Sequence, residues 1–201
     1  QKTAYEIASC LVGSEMCIRD RCGDSLIILA VQVLTTKGLS APERLGELIN
    51  ILTTSTGMPF GICSGQGWES EKTIDLSAYH KLKTASLFVA STKMGAISAG
   101  EDPEPWAELG QRIGEAFQVA DDLKDFSDSQ RSGKSNNRDS ENDRPNAVLK
   151  LGEKGAIKRL QDILAGAIAS IPSCPGEVEL IKIVRSQAER LTPVEPLQKT
   201  L

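Results

Sequence analysis

Apolar residues recur at helical spacing along most of this chain, and no stretch alternates apolar and polar residues as a half-buried strand would. The clearest example is residues 41–54, where Leu45, Leu48, Ile49 and Leu52 repeat at the interval that places them on one helical face. Because this periodicity dominates along most of the chain, the sequence predicts an all-α fold.

Five further helices follow from the same pattern. They are predicted over residues 26–34, 85–99, 104–126, 156–171 and 178–191. The first is apolar on most faces, which is typical of a buried helix. Gly95, within a helix of small residues, predicts close packing against a neighbour. The last two helices are expected to form a hairpin around Pro172 to Gly176, and residues 127–146 are expected to form a polar loop.

Three carboxylates follow the apolar run that ends the helix predicted at 104–126. Asp121 and Asp125 lie about 40° apart around a helix, and Asp122 is the residue that follows Asp121. All three can therefore reach one shared space. Carboxylates about 4 Å apart repel by roughly 4 kcal/mol at an effective dielectric near 20, so a cation is expected between them. Oxygen ligands without nearby His or Cys favour Mg²⁺. The alternative is a solvated acidic cluster at a helix end.

These residues also carry a resemblance. Phe117-Gln118-x-x-Asp121-Asp122-x-x-Asp125 resembles the second aspartate-rich motif of the trans-prenyl diphosphate synthases. Other pieces of that family's pattern occur in the family's order, namely Gly65-Gln66, the Lys-Thr segment from Tyr79-His80 through Lys83-Thr84 to Phe88, Gly133-Lys134, Asp139, and Arg144-Pro145-Asn146. The resemblance spans residues 23–190, and the pattern is most similar to bacterial geranylgeranyl or farnesyl diphosphate synthases.

The resemblance implies an isoprenoid-synthase-type helical bundle and a specific chemistry. An allylic diphosphate held on Mg²⁺ ionises, the double bond of isopentenyl diphosphate attacks the cation, and proton loss leaves a chain five carbons longer. Asp121, Asp122 and Asp125 are then implied as Mg²⁺ ligands. Lys83 and Lys134 are implied as contacts to diphosphate oxygens, with Thr84 and Gln118 as polar partners near the reacting end. Without the resemblance, both lysines would be interpreted as ordinary surface residues.

The resemblance is incomplete at the N-terminal side. Family members carry a first aspartate-rich motif upstream of a Gly-Asp segment that opens an apolar helix, and only that later segment is present, at Gly23-Asp24. The N-terminal helices of the bundle are therefore expected to be missing. Residues 9–21 resemble a tract translated from cloning linkers, and residues 1–21 are interpreted as non-native, so residues 22–201 are expected to be the C-terminal part of a single synthase domain.

Composition limits the partners. A net charge of −4 and a pI near 5.2 argue against a nucleic-acid surface. No stretch holds 18 uninterrupted apolar residues, so no membrane span is expected. Five cysteines without a CxxC pair indicate reduced thiols and a cytoplasmic location. The resemblance implies a homodimer for the full-length form.

Two functions from different classes are consistent with the sequence. The first is a short-chain trans-prenyltransferase that makes a geranylgeranyl or farnesyl product. The second is a non-catalytic subunit that keeps the fold and modulates an active partner. A terpene cyclase is a weaker third interpretation, because cyclases usually lack the Lys-Thr and Gly-Lys pieces. Product length is not encoded in these residues, because the family sets it upstream of Gly23.

Overall fold

The computed structural model describes residues 4–68, 71, 81–132 and 147–191. Every regular element among these residues is helical, which confirms the all-α prediction. The α-helices are α1 (Ala4–Lys37), α2 (Pro42–Thr56), α3 (Ile62–Gly67), α4 (Ser86–Ala99), α5 (Ala107–Ser132), α6 (Ala147–Ala169) and α7 (Glu177–Leu191). Short 3₁₀ helices span Gly38–Ser40 and Glu104–Trp106, and a five-residue π-helical turn spans Lys81–Ala85.

The chain divides into two compact units, Gln1–Asn50 and Ile51–Leu201. In the first unit, the helix predicted at 26–34 forms within α1, but the expectation that it is buried was wrong. Leu26 and Ile28 are about two-thirds exposed, at 66% and 67%. Helix α1 packs against the 3₁₀ turn that follows it, and a three-residue turn cannot cover a helix of 34 residues.

Two further expectations concern the same helix. Its segment Arg21–Ser40 is long and apolar enough to cross a membrane by length and composition, and none of that segment's apolar window is buried. One such helix is weak support for a span, so the absence of a membrane span stays a prediction. Helix α1 also runs without a break across residues 21 and 22, and the predicted boundary between a non-native tract and the native domain there stays a prediction as well.

The second unit is built around α5 and α6, which pack against each other more extensively than any other pair of described elements. Leu123 on α5 and Leu160 on α6 are essentially fully buried. The remaining buried members of this cluster are Ala116, Val119, Ala120, Val148, Ala156, Ile163 and Leu164. Since nine apolar side chains leave water together, the hydrophobic effect fixes the two helices against each other.

A second cluster attaches α7. Leu109, Ala167, Ile171 and Val184 are buried together, with Leu180 and Ile181 packed against them. Helix α6 ends at Ala169 and α7 begins at Glu177, so the predicted hairpin is confirmed and its connection contains Pro172 to Gly176. Helix α6 starts earlier than predicted, at Ala147, and bends at Gly152, where the backbone has φ 70° and ψ 166°.

Helices α4 and α5 approach each other at two glycines of α5. A Cβ on Gly110 would lie 2.6 Å from the Val89 Cα, and one on Gly114 would lie 2.8 Å from the Ala85 Cα. By contrast, a Cβ on Gly95 would meet nothing within 4 Å. The predicted close packing of the helix at 85–99 is thus found, but Gly95 is exposed and takes no part in it, and the glycines that allow it belong to α5.

Candidate functional site

Helix α5 has two buried sides. At about 100° per residue, Gly110, Gly114 and Gln118 project from one side, toward α4 and the π-helical turn. The core residues of α5, represented by Val119 and Leu123, project from the other side, toward α6. Helix α5 therefore packs against α4 and the π-helical turn on one side and against α6 on the other.

Two contacts a turn apart fix the π-helical turn and α4 against α5. The Thr84 hydroxyl donates a hydrogen bond of 3.1 Å to Gln118 Oε1. Phe88, four residues further along, packs on Phe117 with ring centroids 5.6 Å apart and planes inclined by 44°. This tilted geometry at this separation is favourable for aromatic pairs. The structure thus brings together Thr84 and Gln118, which the sequence placed in different motifs.

Lys83 lies in the π-helical turn, at a point where helix geometry is irregular. Turns of this kind are rare and occur frequently at functional sites. The backbone of Lys83 is approached by α3, because a Cβ on Gly65 would lie 2.5 Å from Lys83 N and 2.6 Å from its Cα. The Lys83 side chain is half-buried. The predicted Gly65-Gln66 and Lys-Thr pieces are therefore neighbours in space.

The three aspartates do not share one environment. Asp121 and Asp125 lie on the same side of α5 as Gln118, and both are exposed. Asp122 is half-buried and projects toward the α6 side. Its Oδ1 accepts a hydrogen bond of 3.3 Å from Gln118 Nε2, and its Oδ2 accepts one of 2.7 Å from the backbone N–H of Ala147, the first residue of α6.

The donor set fits Mg²⁺ with two of these carboxylates. Among the residues that the structure describes, no group of three or more His, Cys, Asp or Glu side chains is placed to hold a metal ion. Mg²⁺ commonly takes only one or two carboxylates and completes its shell with waters and phosphate oxygens. Asp121 and Asp125, a turn apart on an exposed helical face, supply two. The metal role of the triplet stays a prediction.

Several predicted residues lie outside the described residues. These are Tyr79, His80, Gly133, Lys134, Asp139 and the Arg144-Pro145-Asn146 segment. The role of Lys134 as a diphosphate contact stays a prediction.

Sequence reasoning missed two features of this site. The first is the pair Gly110 and Gly114, whose spacing of four residues on one helical face was a usable signal for close helix packing. The second is the hydrogen bond between Asp122 and Ala147, which joins residues 25 positions apart and leaves no trace in local spacing.

Known proteins are similar to this chain in sequence. A family model described as polyprenyl synthetase matches residues 2–182. The chain is 56% identical over 174 residues to geranylgeranyl diphosphate synthase of Cereibacter sphaeroides, covering 86% of this chain and 60% of that protein. It is 32% identical to farnesyl diphosphate synthase of Haemophilus influenzae, with 76% and 56% covered.

A solved structure is also similar. It is the geranyltransferase from Helicobacter pylori complexed with magnesium and isoprenyl diphosphate, which matches with a TM-score of 0.64 and 27% identity. The match covers 84% of this chain and 59% of that one. The chain spans about three-fifths of the length of these relatives.

Proposed function

The chain belongs to the polyprenyl synthetase family, and we propose that its intact form is a short-chain trans-prenyltransferase. It would condense an allylic diphosphate with isopentenyl diphosphate, releasing pyrophosphate and a geranylgeranyl or farnesyl product. The similarity to a geranylgeranyl diphosphate synthase at 56% identity supports the longer product, and the similarity to farnesyl synthases supports the class.

One structural relationship carries the proposal. The hydrogen bond from Thr84 to Gln118 holds the Lys-Thr turn on the face of α5 that continues, about one and two turns later, into Asp121 and Asp125. A cationic side chain and two carboxylates are thus carried by elements that are fixed to each other. A diphosphate bound through metal to the aspartates needs this combination of charges.

We assign Mg²⁺ to Asp121 and Asp125, whose exposed carboxylates suit it. When bound, the metal neutralises the charge that develops on the departing diphosphate. Lys83 would contact diphosphate oxygens from the π-helical turn, and Lys134 is proposed for the same role. Thr84 and Gln118 would orient the reacting end through their mutual hydrogen bond.

The remaining assignments are proposals that follow from family membership. The intact protein is proposed to act in the cytoplasm as a homodimer. Its substrates are the two diphosphates, and neither nucleic acid nor a membrane is proposed as a partner. The acidic balance of the chain, with a net charge of −4, supports the exclusion of nucleic acid.

A hybrid enzyme tests the proposal. The upstream part of the Cereibacter sphaeroides synthase is fused ahead of Gly23, since that relative is 56% identical over the shared region. The hybrid is incubated with Mg²⁺, labelled isopentenyl diphosphate and an allylic diphosphate, and the prenyl products are separated by length. We expect a product longer by five carbons or a multiple of five, and no product from the 201-residue chain alone.

Two variants of the hybrid test whether turnover depends on Asp121. Asp121→Ala is expected to lower turnover of the hybrid by several orders of magnitude while its helical circular dichroism stays unchanged. Asp162→Ala, which changes an exposed aspartate on α6, serves as the matched control and is expected to retain turnover. A folded hybrid without product, beside an active parent synthase, would reject the proposed function. Full activity of Asp121→Ala would reject the metal role of that residue.

A further inference from the structure

We propose that Asp122 is a positioning residue that ties α5 to the start of α6, and that Mg²⁺ binding by the acidic triplet is left to Asp121 and Asp125. The division of roles among the aspartates rests on the proposed function. The tie itself rests on hydrogen bonds within the chain.

The first step is the direction in which each carboxylate projects. Taking Asp121 as the origin, Asp125 lies about 40° and Asp122 about 100° round the helix, while Leu123, in the centre of the buried face, lies about 200° round. Asp122 is thus on the border of the core side, and the other two aspartates are further from it, on the side that also carries Gln118. Their burial agrees, because Asp122 is half-buried and Asp121 and Asp125 are exposed.

The second step is the hydrogen bond that Asp122 accepts from the start of α6. Backbone N–H groups in the first turn of a helix have no partner within the helix and need an acceptor from elsewhere. The Ala147 N–H finds it in Asp122 Oδ2 at 2.7 Å, a length typical of a hydrogen bond to a charged group. The next residue, Val148, is 4% exposed and packs in the core cluster beside Leu123.

The third step is that the tie continues to the π-helical turn. Asp122 Oδ1 accepts from Gln118 Nε2, and Gln118 Oε1 accepts from the Thr84 hydroxyl. Two side chains of α5, Gln118 and Asp122, thus link the Lys-Thr turn to the start of α6, and the two oxygens of Asp122 accept from different elements. Moving Asp122 onto a metal would draw the acceptor away from Ala147 and leave a half-buried N–H unpaired, which is unfavourable.

Hydrogen exchange on the metal-free 201-residue chain tests the tie. In the wild-type chain the Ala147 amide is expected to be protected. Asp122→Ala removes the acceptor and is expected to speed exchange at Ala147 by about tenfold or more. Asp121→Asn, which changes an exposed carboxylate in the same turn, is the matched control and is expected to leave exchange at Ala147 unchanged. Equal exchange in Asp122→Ala and wild type would overturn the tie.

If the alanine variant does not fold, hydrogen exchange at Ala147 is measured in Asp122→Asn instead. The asparagine Oδ1 can accept from Ala147, and its Nδ2 can donate to Gln118 Oε1 once the Gln118 amide turns over. The Gln118 Nε2 group then donates to the Thr84 hydroxyl, so every bond is remade without the charge. This variant is expected to retain protection of the Ala147 amide from hydrogen exchange. Loss of that protection would also overturn the tie.

Calorimetry with Mg²⁺ and inorganic pyrophosphate separates the tie from the metal role. Asp122→Asn is expected to retain magnesium-dependent uptake of pyrophosphate, and Asp121→Asn is expected to lose it. Equal loss in both variants would overturn the division of roles. No uptake by the wild-type chain would overturn the proposed magnesium role in this chain, while the exchange result at Ala147 would still decide the tie.

Discussion

Gly65 lies directly against the backbone of Lys83, so closely that a methyl group on Gly65 would stand 2.5 Å from Lys83 N. Backbone atoms cannot move aside as the end of a flexible side chain can. Glycine at position 65 is therefore required for the contact between α3 and the π-helical turn. This contact fixes the backbone position from which the Lys83 side chain extends.

Gly65→Ala is expected to lower the free energy of unfolding by about 1–3 kcal/mol, because the added methyl group overpacks a backbone contact. Urea unfolding followed by circular dichroism measures the change. Gly67→Ala is the matched control on the same helix, since a Cβ there meets nothing within 4 Å. If the two substitutions had equal effects, the close approach of α3 to Lys83 would be refuted.

Thr84→Val is expected to cost about 0.5–1.5 kcal/mol of unfolding free energy, since it removes the donor to Gln118 Oε1 while nearly preserving shape. Thr84→Ser keeps the hydroxyl and should lose less. A double-mutant cycle with Gln118→Leu gives the sharper measurement, because residues in one hydrogen bond are expected to couple. Strict additivity of the two changes would show that the bond contributes nothing.

Gly152→Ala is expected to cost about 1–3 kcal/mol. With φ 70° and ψ 166°, Gly152 occupies a backbone region that is essentially restricted to glycine. No neighbour lies within 4 Å of the added Cβ, so any loss comes from the backbone alone. Gly95→Ala, in the exposed interior of regular helix α4, is the control and should raise stability by about 0.5–1 kcal/mol. Thermal or urea unfolding of both variants distinguishes them, and equal shifts would contradict the bend.

Features that depend on neighbouring positions along the chain could be predicted from the sequence. The helix that carries Asp121 and the hairpin broken near Pro172 follow from periodicity and from helix-breaking residues. Lys83 and Thr84, by contrast, were singled out only by resemblance to a family, because nothing in the side chains themselves distinguishes them from surface residues.

Features that depend on a distant partner could not be predicted in this way. The apolar pattern of residues 26–34 fixes which side chains α1 carries but not whether another element covers them, and Leu26 is exposed. Small residues in the helix at 85–99 indicated close packing, but they could not show that Gly110 and Gly114 of the partner helix make the contact. The spacing of the aspartates placed them on one helix but could not show that Asp122 meets Ala147.

The two contacts that join α4 and its π-helical turn to α5 differ in chemistry, and this has a mechanical consequence. The hydrophobic effect is non-directional, so burial of apolar surface by itself does not specify how far one helix slides or rolls over another. A directional hydrogen bond at Thr84 and a ring contact at Phe88, one turn apart, resist both motions at once. The lateral register of the Lys-Thr turn on the aspartate-bearing helix is thus preorganised within the protein, and a ligand entering there need not supply the free energy to align it.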